Sequence, residues 1–589
     1  MTSKLDVQPF LVLDDRLDVS DKISYGIVKG GASITSNRFP AVAQDASQHT
    51  YNVIVPSKDT IVPREVLWSS TVTLTLTTTD IPIGYTAGGN LVQLGVLDAI
   101  GPFPLNNACQ TMSARINGNS VSASMQNILP QLLRINNKGD LLAYNGTCPT
   151  AFDTFANYYD SYLFVSSSLG GIDNSPDEND NMRGSFPIEL GPVMVNGVAT
   201  GDGELPSGAG SIIAGTVYSQ TVTFTSVEPL LISPFLFGNP ESNKAGFFGL
   251  QNMSLTMSMG NNQRFWRHAV QKSGDLIGRR NWNLRVSNVA YDNSELLFTF
   301  ISRHPDMQLP ERSVTPYYEL PHYILTQPNF PTVNPSASVD IISNALSLNN
   351  IPDKMIICVR KPMINQTCQD TDSWFSINSI SMQFANIPGL LSNMTPQQLW
   401  KSSRDSGSNQ SWLEYSGKAH AGGILDRDVS TSGSLLVLDV GKHLALNNPK
   451  LAAGLANSSF TVSFTINVTN NYDVAVNPEL VLMCMNSGVF VIENNKSSID
   501  LNVLTEEMVI DAHKVGNSIS QSSLKRLVGG GFLDNIKSAW RKASPFVQKG
   551  IAFADNLSKG SGMSANGLSG QGESASGLKK RSLKDRLKY

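Results

Sequence analysis

From Trp68 to Thr79 apolar and polar residues alternate with a period of two. Val72, Leu74 and Leu76 fall on one face and Thr71, Thr73, Thr75 and Thr77 on the other, which predicts a half-buried strand. The same period governs 460–469, where Phe460, Val462, Phe464, Ile466 and Val468 oppose Thr, Ser and Asn. Further strands are predicted at 216–232, 250–260, 281–292, 295–301, 354–361, 375–384, 434–440 and 479–493. Residues 111–125 read as a hairpin turned at Asn117-Gly118, and Asn486-Ser487-Gly488 as the turn of the last hairpin. Helical signals are sparse. A short helix is predicted at 128–135, and Thr395-Pro396, a capping Thr followed by Pro at the first helical position, opens another.

Long strands separated by 20–50-residue excursions, with no βαβ rhythm, predict an all-β chain of two tandem antiparallel sandwiches. Residues 1–45 read as an extended N-terminal arm, 46–303 as the first sandwich and 324–520 as the second. The Pro-rich passage 304–323 reads as the linker between them, and 521–589 as a flexible basic tail.

Hydrophobic content of 41% is ordinary for a globular protein, while 16% charged residues is low. Charge is also unevenly placed. The 69 residues from Gln521 to Tyr589 hold 13 Lys/Arg and 4 Asp/Glu, a net of +9, and the remaining 520 carry −13. Such asymmetry separates a part that folds from a part that meets polyanions or membranes. The N-terminal MTSKLDVQPFLVLDD lacks a basic segment followed by an apolar run, so no signal peptide is predicted, and no stretch is apolar for long enough to span a bilayer. Five widely spaced cysteines without a CxxC predict buried thiols rather than disulfides or a metal site.

The usual catalytic constellations are missing. Seven solitary histidines form no HExxH or HxH, so neither a metal site nor a cofactor is predicted. GAGSIIAG (208–215) has the wrong glycine spacing for a dinucleotide loop, and DNSPDENDN (173–181) departs from the EF-hand pattern; both read as surface loops. No catalytic residue is assigned, and the chain is read as not an enzyme.

The tail carries more. In 528–544, Phe532, Ile536 and Trp540 fall on one side of a helical wheel with Leu533 at its edge, and Lys537, Arg541 and Lys542 lie opposite. Three glycines precede this basic amphipathic segment, and Pro545 with Phe546 starts a second, weaker one. Phe532, Leu533, Ile536, Trp540 and Phe546 are the candidates for docking on a membrane interface or on a neighbouring subunit. A Gly/Ser spacer follows, then LKKRSLKDRLKY. There Lys579, Lys580, Arg581, Lys584, Arg586 and Lys588 suit sequence-independent contact with nucleic-acid phosphates, a nuclear-targeting signal and a solubilising tail being the other readings.

Three segments carry a resemblance: EPLLISPFLFGNPE with GFFGLQNMSLTMSMGNNQRFW, WFSINSISMQFANIPGLLSNMTPQQLWKSS, and VTNNYDVAVNPELVLMCMNSGVFVIE. Together they resemble major capsid proteins of small eukaryotic viruses, and the paired layout is similar to the double jelly-roll, hexon-like lineage. The resemblance covers about residues 46–510 and implies two eight-stranded jelly rolls, no cofactor and no catalytic residues. It implies a capsid subunit that assembles with itself, as trimers or pentamers, into an icosahedral shell around the genome. The cationic tail is then set to meet genome nucleic acid or a host membrane, with minor capsid proteins as further partners. The expected location is the virion, assembled in the host cytoplasm or nucleus. A shell domain with a projecting domain is the other architecture, and a glycan- or receptor-binding fibre or lectin-like protein the other function. A hydrolase on a β scaffold comes third.

Overall fold

The computed structural model describes the strands 10–13 and 26–29 and residues 34–501, apart from 84–88, 95–96, 136–137, 159–185, 208–211, 236–245, 270–281, 303–308, 310–311, 327–329, 385–386, 422–426 and 445–459. Alternation at Leu67–Thr78 works as predicted: Val72, Leu74 and Leu76 are fully buried. This strand lies between Tyr218–Pro229 and Arg285–Ile301 in a six-stranded antiparallel sheet. Glu189–Val195 and Val198–Ala199 extend the sheet on one side. Ile34–Pro40, expected in the arm, closes the other as an edge strand on Arg285–Ile301. The facing five-stranded sheet runs Ala43–Gln44, Gln48–Ile54, Asn252–Met259, Cys109–Ile116 and Asn119–Ala123. Asn117 and Gly118 both have positive φ, the backbone a two-residue hairpin needs, so the predicted turn forms.

The second sandwich has an outer sheet of Ser338–Ile342, Phe460–Thr469, Ser376–Phe384 and Ile387–Leu390. Its inner sheet centres on Glu479–Glu493, paired with Lys354–Arg360 and His322–Leu325 along one half. Leu436–Asp439 continues the sheet from Lys354–Arg360. Thr395 caps Pro396–Asp405 with a full capping box to Gln398, the helix predicted there.

Two expectations need amending. Asn486-Ser487-Gly488 is not a turn, because Glu479–Glu493 runs through it as one 15-residue strand. The hairpin closes instead at Asn494 and Asn495, both with positive φ, onto Lys496–Leu501. Gly488 is small for a different reason: a Cβ there would sit 2.5 Å from the Asp500 carbonyl of the paired strand. The passage expected as linker contains the strand Arg312–Glu319 and the start of His322–Leu325, which are laid end to end along Glu479–Glu493. Pro316 is tolerated because Arg312–Glu319 is an edge strand.

The inner sheet of the second sandwich is buried on both faces. Met355, Ile357, Val359, Leu436, Leu438, Leu480 and Leu482 belong to the second sandwich's core. Ile356, Cys358, Leu435, Val437, Val481 and Met483, alternating with them, join the core of the first. One sheet therefore serves two cores, and the sandwiches pack as a continuous body within 1–515.

Candidate functional site, a buried joint between the sandwiches

Helix Met125–Ile135 of the first sandwich is amphipathic, yet nearly every residue in it is buried, because the polar Asn127, Gln131 and Arg134 meet the second sandwich. Gln131 reaches the Cys358 sulfur across the interface at 3.6 Å, and the Arg134 carbonyl accepts from Asn409 N–H at 2.7 Å. Residues 151–158 extend the seam with bonds from Ala156 N–H to Ser430 O and from Ser432 N–H to Thr154 O.

Charge is concentrated at this seam. Asp372, on the second-sandwich segment before Trp374, inserts among three guanidiniums of the first. Arg134 Nη1 lies 2.8 Å from its Oδ2, Arg264 Nη2 bonds its Oδ1, and Arg267 Nη2 stands 3.8 Å from Oδ1. Asp153 holds Arg267 through Nε and Nη2, both at 3.1 Å, and accepts from Asp372 N–H at 3.2 Å. Arg264 also donates to Gln366 at 3.1 Å and Asn107 at 3.3 Å. The Arg134 guanidinium lies 5.2 Å from the rings of both Phe152 and Trp374. None of the five charged side chains is more than 3% exposed. Burial, with Arg267 beside it, presses the Arg264 guanidinium well below its ordinary value.

A second polar contact crosses the seam. Arg360 donates to Glu479 at 2.6 Å and to Asn127 Oδ1 at 2.8 Å, which leaves Asn127 Nδ2 facing His322 Nε2 at 3.3 Å. With its oxygen on a guanidinium, Asn127 presents its NH₂ to the histidine, so Nε2 is the acceptor and the ring is neutral. Burial and Arg360 together lower the His322 pKa.

Chemically this arrangement fastens. Arg–carboxylate forks buried between apolar layers fix one relative placement of the two sandwiches. All five cysteines are free and buried, and burial raises their thiols, Cys358 to about 11 and Cys368 and Cys484 to about 12, far from a nucleophilic thiolate. Among the described residues no group of three or more His, Cys, Asp or Glu is placed to hold a metal.

Phe532, Leu533, Ile536, Trp540 and Phe546, like Lys579, Lys580, Arg581, Lys584, Arg586 and Lys588, lie outside the described residues, as does DNSPDENDN. No charge pattern in the sequence marks the joint, because its charges come from four separate segments with no motif spacing and meet only in the fold. The usable signal was the non-alternating runs IICV, LLVL and LVLMCM, since strands buried on both faces read that way.

Comparison with known proteins agrees with the geometry. The model of the Sputnik virophage major capsid protein 1st domain matches residues 5–301, and that of the major capsid protein V20 C-terminal domain matches 320–488. The V20 capsid protein of Sputnik virophage is 25% identical over 549 residues, 91% of this chain and 86% of that protein. The fold is similar to that in the 3.5 Å cryo-EM structure of Sputnik virophage, with a TM-score of 0.67 and 22% identity over 88% of this chain and 98% of that one. It is also similar to the crystal structure of the mavirus major capsid protein, with a TM-score of 0.61 and 14% identity over 83% and 93%.

Proposed function

Because this chain belongs to the Sputnik virophage major capsid protein family and is a capsid subunit that self-associates into an icosahedral shell, we propose a division of labour within it. The two-sandwich body builds the shell, and the tail 521–589 reaches the genome or a membrane. The observation that carries this reading is the charge division, −13 for the body against +9 for the tail. Counterion release makes the terminal Lys579–Lys588 cluster the element for nucleic acid. Phe532, Ile536 and Trp540 make the preceding segment the element for a membrane interface or a neighbouring subunit. Assembly through trimers or pentamers, contact with minor capsid proteins and assembly in the host cytoplasm or nucleus complete the proposal.

Deleting 521–589 is expected to leave the body folded, by circular dichroism, and to lower the nucleic-acid content of particles or their leakage of liposomes. Replacing Phe532 and Trp540 with Ser is expected to abolish leakage while sparing nucleic-acid retention. The reverse pattern refutes the division.

A further inference from the structure

The outward face of the six-stranded sheet in the first sandwich is a ladder of hydroxyls. Along its two central strands Thr71 lies opposite Thr225, Thr73 opposite Thr223 and Thr75 opposite Thr221, and the row ends at Thr77, opposite Ser219 and already buried. The first two pairs bond hydroxyl to hydroxyl, at 2.9 and 3.0 Å. Hydroxyls that satisfy one another ask less of water, and the methyl groups beside them are apolar, so such a face is desolvated at low cost. Charges stand at its flanks. Glu189 is opposite Thr223 from one neighbouring strand, and Asp292 and Arg285 are opposite Thr71 and Thr77 from the other.

We propose that this threonine face is a contact surface for a second copy of the chain, an inference that rests on the reading of the chain as a self-associating shell subunit. Both central strands have 12 residues. Strands of that length span about 40 Å, the flanking Glu189–Val195 with its 7 residues about 23 Å, and at about 4.8 Å per strand the four offer about 690 Å². Each partner in an interface of standard size contributes about 800 Å². An uncharged centre inside a charged rim is also the anatomy of such interfaces.

The five native cysteines are buried, so Thr225→Cys, at an exposed position, supplies one reactive thiol. In the full chain, maleimide labelling of that thiol is expected to slow at least ~10-fold on assembly relative to the dispersed protein, because the site becomes covered. Thr73→Lys buries an unpaired charge at the centre, and is expected to cut the assembled fraction at least ~10-fold while leaving the melting temperature of the dispersed chain unchanged. Equal labelling rates in the two states, or parental particle yield from Thr73→Lys, overturns the proposal. If Thr73→Lys does not fold, the labelling comparison decides alone. A parent chain that never assembles removes the underlying reading and the inference with it, and that failure is visible before any variant is compared.

Discussion

Asp372→Asn tests the joint most sharply. Among the described side chains at the seam, three guanidiniums (Arg134, Arg264 and Arg267) share two carboxylates, Asp153 and Asp372. The amide keeps the shape of the side chain but removes the anion that Arg134 and Arg264 both face. Breaking a buried pair by removing one partner costs about 3–5 kcal/mol, because the other charge stays behind unpaired. At a slope of about 3 kcal/mol per M, that lowers a urea midpoint by about 1 M or more. Asp372 comes from the second sandwich and its partners from the first, so the loss falls on the coupling between them. A single unfolding transition, followed by the fluorescence of Trp266 and Trp374, is expected to separate into two. Arg134→Met is the contrasting variant. It removes a cation from a site with cations in excess, and is expected to cost less than Asp372→Asn despite the lost contacts with Phe152 and Trp374. Asp372→Asn within about 1 kcal/mol of the parent, or Arg134→Met as the more damaging change, refutes the electrostatic account of the joint.

Acid is expected to weaken the body. His49 is fully buried against Tyr51, Trp68 and Tyr291, and burial lowers its pKa from 6.5 to about 4. The unfolded chain takes up that proton first, so stability falls as pH drops from about 6.5 towards 4, by about 3 kcal/mol in all. His49→Gln should flatten this slope in melting experiments. His322, lowered in the same direction, adds to the loss below pH 6.5, and its protonation sets an N–H against the Asn127 amide. His322→Gln should therefore reduce acid-induced exposure of the seam, measured by hydrogen exchange at 125–135. Gly488→Ala drives a methyl group into the Asp500 carbonyl and should release the 496–501 strand, seen as faster proteolysis there.

The strands were legible because half-burial writes a period of two, as at 67–78 and 460–469, and because Asn117-Gly118 and Thr395-Pro396 carry their backbone geometry in their residue types. Turn residues misled at Asn486-Ser487-Gly488. Gly488 is there for close approach within a strand, and the turn falls to two asparagines that accept positive φ. Pro-rich text suggested a linker at 304–323, yet an edge position lets Pro316 sit in a strand without a missing ladder bond. The joint was illegible for a different reason. Arg134 and Asp372 are 238 positions apart, and no local pattern marks a charge whose partner arrives only through the packing of two sandwiches. The runs IICV and LVLMCM did announce strands covered on both faces, but not what covers them.

The central claim is that this chain is a shell subunit built as one two-sandwich body. Electron microscopy of the purified full-length chain, across salt concentration and pH, tests it most directly. Regular closed particles are expected, in which each subunit shows two sandwiches sharing the Glu479–Glu493 sheet. Monodisperse monomers under every condition would contradict it.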